Sequence, residues 1–478
     1  MAATPTPSRD SAAAALADRL RTIVGDANVL DDPDTKAAFE TDWTGRFRGP
    51  CSLVVRPRTT AEVAAVMAAC ASEGRSVVIQ GGNTGLVGGG VPAPSPPEPS
   101  ADPQASAPPV LLSTVRLDQI GDVDRAASQI TVGAGVSLGR LQAAAEASGL
   151  VFPVDLAARD SATVGGMIAT NAGGLHVLRY GSMRAQVIGV EAVLADGTVV
   201  SRLSGLVKDN TGYDLSQLLV GSEGTLAVIT AARVRLVAAV PERVVALIGL
   251  RSTASALDAL DAVRRGAEGL QAAEIFYREG LDLVRHHAHL GDPLTAEWPV
   301  YLLVECAGRV DPSDSLFEVL VQLDLPDDAT AIATDGAGAD RLWAYRERHT
   351  EAVSAVGIPH KLDVTLPQSR LADFESAVRE LVGTVAPGST LILFGHIGDG
   401  NLHVNVVGPP PDDERLDEAV LALVASMDGS ISAEHGIGRA KSQWLHLSRS
   451  PSELAVMRAV KSAVDPTGRL NPGVLFET

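Results

Sequence analysis

The stretch 161-SATVGGMIATNAGG-174 decides how the first half of this chain is read. It pairs glycines twice and separates them with small residues and one short apolar run. Backbone N–H groups without side chains in front of them can approach a pyrophosphate closely. Alone, such a segment is most simply a tight turn. Two more of the same character flank it, 81-GGNTGLVGG-89 and 221-GSEGTLAVIT-230. Three such segments imply an elongated ligand threaded through the first domain, as a dinucleotide such as FAD would be. A fourth segment, 133-GAGVSLGRL-141, follows a strand and opens a helix, but its spacing is G-x-G-x-x-x-G. No acidic residue ends a second strand about twenty residues on, so a Rossmann NAD site is not expected.

The rest of the chain gives these loops a frame. SLVVRP and VVIQ read as short strands around a helix whose apolar residues Val63, Val66, Met67 and Cys70 recur at helical spacing. ITVGAGV (130–136) is a further strand, followed by a helix from Ser137 to Gly149, and VEAVLADGTVV reads as a strand pair about an Asp-Gly turn. Residues 92–109 are mostly Pro, Ala and Ser and are expected to form an exposed, disordered insertion. Near Pro241 the character changes to strands and helices of a second domain, including VALIGL, a helix over 253–265, YLLVECAG and a helix at 414–427.

At 478 residues, two or three domains are expected. A 46% hydrophobic and 20% charged composition is that of a folded protein. The formal charge of −19 argues against nucleic acid or an anionic membrane as the main partner. The three cysteines, Cys51, Cys70 and Cys306, form no C-x-x-C and suggest reduced thiols in a cytosol. The N-terminus carries Asp10 and Asp18 with no apolar core, so no secretory signal is expected; no apolar run approaches a membrane span, and a cytoplasmic location follows.

The second half carries its own puzzle in 393-LFGHIGDGNLHVNV-406. His396 and His403 are seven residues apart, so one flat strand would point them to opposite faces. Gly398-Asp399-Gly400 bends the chain instead, and Asp399 reads as a turn former. After the bend His403 and Asn405 share a face, and His396 can turn toward them. A hairpin with two half-exposed histidines is the plain alternative.

Taken in order, GGNTG, PVD, SATVGGMIATNAGG, YG, GSEGTLAVIT, GHIGDGNLHVNV, SAEHGIGRAK and LNPG resemble the vanillyl-alcohol-oxidase-like (PCMH-type) FAD flavoproteins. Within them the chain resembles the D-2-hydroxyacid branch, which includes D-2-hydroxyglutarate dehydrogenase, D-lactate dehydrogenase and the glycolate oxidase flavin subunit. The resemblance spans residue 30 to the C-terminus. It implies an α+β fold: a PCMH-type FAD-binding domain of two α/β subdomains, and a C-terminal FAD-linked-oxidase cap with an antiparallel sheet flanked by helices. The expected division is an N-terminal helical segment (1–49), the FAD-binding domain (50–238), the substrate and cap domain (239–430), and a C-terminal segment (431–478) returning to the flavin site.

The resemblance also implies roles for particular residues. Gly81, Gly82, Asn83, Thr84, Gly85 and Leu86 would cradle the FAD pyrophosphate. Pro153 and Asp155, with Ser161, Ala162, Val164, Gly165, Gly166, Ala169, Asn171, Gly173 and Gly174, would run along the phosphates, ribityl chain and flavin. Backbone near Gly224, Val228 and Ile229 would lie along the adenosine portion, with Asn471 near the isoalloxazine. His396, His403 and Glu434 would hold a divalent metal, usually zinc, and His435 would be the base. Arg346, Thr350, Lys361 and Asn405 would hold the carboxylates and hydroxyl of the substrate. His176 stands where relatives commonly carry Arg. It raises the question of a covalent flavin, but non-covalent FAD is the expectation.

The implied chemistry is self-consistent. An alcohol is a very weak acid, so a base needs a cation on the hydroxyl oxygen to lower its pKa. Two His and one Glu form a donor set suited to zinc, and a histidine of ordinary pKa, about 6.5, is a suitable base. Arg346 and Thr350, four apart, are expected on one helix face, and Lys361 at a strand start. Two cations in an acidic chain favour a diacid, D-2-hydroxyglutarate or D-malate, over D-lactate or glycolate. Electrons would leave to an electron-transfer flavoprotein or quinone-linked carrier, and a homodimer is admitted. A non-catalytic flavin subunit and an alkyl-dihydroxyacetone-phosphate-synthase-like transferase are the readings from other classes. His286, His287 and His289 are expected at the surface.

Overall fold

The computed structural model describes residues 9–94 and 107–476. Most of the Pro/Ala/Ser insertion, 95–106, lies outside the described residues.

The N-terminal half contains two four-stranded sheets. The first comprises β1 (Val29–Leu30), β2 (Leu53–Val55), β3 (Val77–Gln80) and β4 (Val110–Ser113), in the order β1-β2-β4-β3. β4 runs parallel to both β2 and β3. Such pairing needs crossovers, and the helix Thr60–Ser72 supplies one between β2 and β3, burying Val63, Val66, Met67 and Cys70. The second sheet comprises β5 (Gln129–Gly133), β7 (Val187–Val193), β8 (Val199–Ser201) and β9 (Val228–Arg235), all antiparallel in the order β5-β9-β7-β8. A small pair, β6 (Leu150–Val151) with β10 (Val237–Ala238), closes this half. One apolar core joins both sheets and includes Leu470 from the C-terminal segment.

The C-terminal half is built on one seven-stranded antiparallel sheet. Its strands are β11 (Glu242–Leu250), β12 (Leu270–Tyr277), β13 (Val300–Gly308), β14 (Thr330–Ala333), β15 (His360–Thr365), β16 (Thr390–Gly395) and β17 (Asn401–Val407). They lie in the order β14-β11-β13-β12-β16-β17-β15. β11 and β13 are apolar almost throughout because both faces of the sheet are covered. One face packs Val263, Val319, Phe374, Val378 and Val420 from four helices. The other packs Leu281, Leu342, Trp343 and Val353 from the helices Arg278–Ala288, Gly336–Glu347 and His349–Val356.

The C-terminal segment then returns to the first half. Leu470 bridges Val77 of β3, the N–H of Asn471 donates to the Val77 carbonyl, and the Asn471 side chain accepts from the N–H of Ile79. Among the described residues no helix is long and apolar enough to cross a membrane. Cys51, Cys70 and Cys306 are buried free thiols, and burial pushes each up to about 12.

Candidate active site

The β16–β17 hairpin places the two histidines. Phe394 lies opposite His403, and Ile392 opposite Asn405. His396 is two residues beyond Phe394 and therefore shares its face, so an odd sequence spacing becomes a same-face pair across the hairpin. The turn is held by the N–H groups of Asp399 and Asn401, both donating to the His396 carbonyl. Asp399 accepts from the N–H of Asn401, the role of a turn former. Burial raises the Asp399 carboxyl to about 6.

The third member arrives from the segment after the helix Glu414–Ser426. Ligand atoms of His396, His403 and Glu434 all lie within 4.8 Å of one another. Each histidine turns its Nδ1 to a buried carboxylate: His396 to Glu274 at 2.6 Å, His403 to Asp363 at 3.6 Å. That leaves Nε2 of each for a cation, and the N/N/O donor set suits zinc. The residues present therefore fit a divalent metal.

Two acidic residues inside apolar strands organise this cluster, and neither was singled out from the sequence. Glu274 on β12 is fully buried and receives both His396 Nδ1 and Arg346 Nε. Burial would lower the His396 pKa, but the charge of Glu274 and its hydrogen bond, with Glu434 adding, raise it to about 9. Asp363 on β15 lies beside His403 in register. Its Oδ2 accepts the N–H groups of Glu434 and His435 at 2.8 and 3.1 Å and lies 3.4 Å from His435 Nδ1. Its Oδ1 accepts from Asn401. Burial opposes charge on Asp363, yet the imidazoles of His435 and His403, Lys441 and Asn401 hold it well below the usual carboxylate range. Burial lowers His403 well below its ordinary value. The available signal was a lone carboxylate in an apolar strand, AAEIF and KLDVT, which requires a buried partner.

Expected substrate residues are distributed unevenly. Arg346 is buried, stacked over the Phe394 ring at 4.7 Å. Lys361 is opposite Asn405 on the paired strands, with Nζ 3.4 Å from Ser354 Oγ, and burial lowers its pKa. Thr350 departs from expectation. The helix carrying Arg346 ends at Glu347 and a second begins at His349, so the two residues do not share one helix face, and Thr350 is exposed. His349, at the break, is fully buried between the Phe276 and Phe394 rings. It needs that apolar slot more than the helix needs continuity.

The glycine loops of the other half meet this cluster. The N–H of Gly174 donates to Glu434 Oε1 at 3.2 Å. A Cβ at Gly174 (φ 122°) would sit 1.9 Å from the Asp155 carbonyl, and one at Gly82 would sit 1.7 Å from the Ser161 carbonyl. The loops 81–85 and 161–166 thus touch backbone to backbone. Among the described residues, the N–H groups of Gly81, Gly82, Thr84 and Gly85 have no protein acceptor, and space beside Gly85 is open. The buried hydroxyls of Ser113 and Ser222 also lack partners. A row of free donors beside glycine fits an anionic dinucleotide.

Several residues named for the cofactor also make contacts within the protein. Asp155 forms a two-point pair with Arg159 at 2.6 Å. Asn171 is the left-handed C-cap of the helix Val164–Thr170 and accepts from Ser182 and the N–H of Arg184. Val164, Val228 and Ile229 are buried in the apolar core; the Val164 N–H donates to the Val136 carbonyl, and Val228 and Ile229 pair with Val193 and Ala192 of β7. Asn471 donates to the Glu223 carbonyl. The buried Glu223 carboxylate accepts from the N–H groups of Ile437 and Gly438, tying GSEG to the loop that carries Glu434 and His435. His176 is half-buried, 4.0 Å from Glu305 of the cap sheet. His286 and His287 end a helix and His289 caps it.

Comparison with known proteins matches two families along the chain. Residues 51–202 match the family described as FAD binding domain, and residues 240–475 match that described as FAD linked oxidases, C-terminal domain. The chain is 39% identical to the mitochondrial D-2-hydroxyglutarate dehydrogenase of Bos taurus over 460 residues, covering 94% of this chain and 81% of that one. It is 35% identical to the D-2-hydroxyglutarate dehydrogenase of Xanthomonas citri pv. viticola, covering 96% of each. Among solved structures, 4-ethylphenol oxidase from Gulosibacter chungangensis superposes with a TM-score of 0.74 at 18% identity, covering 99% of this chain and 98% of that one. p-Cresol methylhydroxylase superposes with a TM-score of 0.74 at 16% identity, over the same shares. These two likenesses concern the fold.

Proposed function

The chain belongs to the FAD-linked oxidase family, in its D-2-hydroxyacid dehydrogenase branch, and on that premise we propose that it oxidises D-2-hydroxyglutarate to 2-oxoglutarate. The observation that carries this reading is the contact between Gly174 of the glycine-rich loop and Glu434 of the His396–His403–Glu434 cluster. It brings a dinucleotide cradle and a cation site to one point.

Bound FAD, held without a covalent link, supplies the acceptor for the C2 hydride. A divalent cation, zinc by its donor set, supplies the acidity that an alcohol lacks. The chain's own residues do the rest. His435 has Nδ1 directed at Asp363, which fixes its ring and leaves Nε2 to take the hydroxyl proton. Arg346 spends its Nε on Glu274 and keeps its terminal nitrogens for a substrate carboxylate. Lys361 and Asn405, opposite one another, complete a polar strip suited to the second carboxylate and the hydroxyl. Thr350 contributes to this strip only if substrate draws its helix inward. Electrons would leave bound FAD for an electron-transfer flavoprotein or a quinone-linked carrier.

The test is the visible spectrum of the purified protein, recorded anaerobically before and after D-2-hydroxyglutarate is added. Bleaching of the flavin band is expected. A band that persists with this acid but bleaches with D-lactate or glycolate would remove the diacid assignment. A protein without a flavin band after reconstitution with FAD would remove the whole reading.

A further inference from the structure

Glu274 touches two groups with different tasks. Its Oε1 receives His396 Nδ1 at 2.6 Å, and its Oε2 receives Arg346 Nε at 2.7 Å. It is 0% exposed, so water does not substitute for either partner. The sheet holds it rigidly: Ile275 pairs with Gly395 and Phe276 with Phe394, which sets Glu274 beside His396. The Arg346 guanidinium is clamped from another side by the Phe394 ring.

We propose that Glu274 is a positioning residue that orients both the cation ligand His396 and the carboxylate-binding Arg346, linking cation binding to substrate binding through one buried side chain. The proposal rests on the functional reading above. Both neighbours donate a proton toward Glu274, and a carboxylate accepts from both. A glutamine at 274 has one acceptor oxygen and one donating amide. To satisfy the amide, His396 must present a bare Nδ1, which moves its ring proton to Nε2, the atom a cation needs. Alternatively the amide faces Arg346, leaving two donors opposed. Because one buried side chain carries both contacts, the shift that relieves either clash displaces it from the other partner, so both tasks suffer.

The experiment compares the FAD-loaded wild type with Glu274→Gln. Zinc affinity is measured by competition with a chromogenic chelator, and steady-state kinetics are recorded at saturating zinc. The variant is expected to bind zinc about 10–100-fold more weakly. At saturating zinc its kcat should recover toward wild type while KM for D-2-hydroxyglutarate stays raised, because Arg346 has lost its anchor. In 15N-histidine NMR spectra of the zinc-free form, the hydrogen-bonded Nδ1–H of His396 should disappear. Equal zinc affinity in both proteins would overturn the proposal. So would weakened zinc affinity with a wild-type KM, since Glu274 would then serve His396 alone. A wild type that binds no zinc would instead sink the functional reading and this inference with it.

Should Glu274→Gln fail to retain FAD, Arg346→Lys tests the same link without substrate. It should change zinc affinity by about fivefold or more, with Lys361→Gln as the charge control that does not. No difference between these two variants would overturn the proposal.

Discussion

In the N-terminal half, the free groups of the loop 81–85 are backbone amides, three of the four from glycine, whereas in the C-terminal half the clustered groups are side chains held by buried opposite charges. Gly82 works because nothing stands between it and the Ser161 carbonyl. His403 and His435 are both held by Asp363, which stands behind them on a separate strand. The first arrangement depends on absence and is written locally. The second depends on partners distant in sequence, 71 residues between Asp363 and Glu434 and 122 between Glu274 and His396. The two therefore fail differently: a loop of glycines is blocked by one added carbon, and a charge network collapses when one member is removed.

The sharpest way to break the comparison is on the glycine side. Gly82→Ala puts a methyl group 1.7 Å from a carbonyl oxygen, and no flavin-loaded protein should be recovered, as judged by absorbance at constant protein concentration. Gly85→Ala meets nothing within 4 Å, so that protein should fold and show only about tenfold weaker FAD binding in a fluorescence titration. Equal behaviour of the two would mean that both glycines serve packing.

Next in size is the proposed base. His435→Gln should lower kcat by about 10²–10⁴-fold while zinc content, measured by atomic absorption, and flavin content stay at wild-type levels. Loss of zinc in that variant would make His435 part of the cation site.

Asp363→Asn puts an amide where a carboxylate accepts the N–H groups of Glu434 and His435, and it removes the strongest of the three carboxylate charges acting on the buried Lys441 ammonium, leaving Glu223 and Asp417. The expected loss is about 3–5 kcal/mol in denaturant unfolding. A loss below 1 kcal/mol would show that the C-terminal network is less interdependent than its geometry implies.

The smallest effect concerns His360, whose ring nitrogens meet the Asp417 carboxylate at 3.0 Å and the Pro410 carbonyl at 2.9 Å. The hydrogen bond to Asp417, working against burial, raises its pKa above the ordinary value. Folded protein therefore holds this proton to higher pH than unfolded chain. The stabilisation is complete below about pH 6.5 and fades as pH rises through the folded pKa. Asp417→Asn should flatten that part of the stability–pH curve and cost about 1–2 kcal/mol below pH 6.5. An unchanged slope would mean that the pair is neutral.

Much of the fold was legible because its signals are local. The helix at 60–72, the strand entering GGNTG, the change of character at Pro241 and the GDG turn depend on neighbours a few residues apart. The resemblance then joined the two halves. Arg346 and Thr350 show where local reading stops. Four-residue spacing implies a shared face only on an unbroken helix, and the need to bury His349 between two aromatic rings breaks it. Asp155 and Asn171 likewise hydrogen-bond to Arg159, Ser182 and Arg184, contacts that the glycine pattern around them does not announce.

By itself, then, the sequence determined the order of elements, the glycine loops and the hairpin pair His396 and His403, since backbone freedom and hairpin geometry act over a few residues, while Glu434 followed only from the family resemblance. Tertiary structure alone decided which carboxylates stand behind those histidines. A buried charge needs an opposite partner wherever the fold brings one, and one such partner, Glu274, lies on a strand that the chain had left more than a hundred residues before.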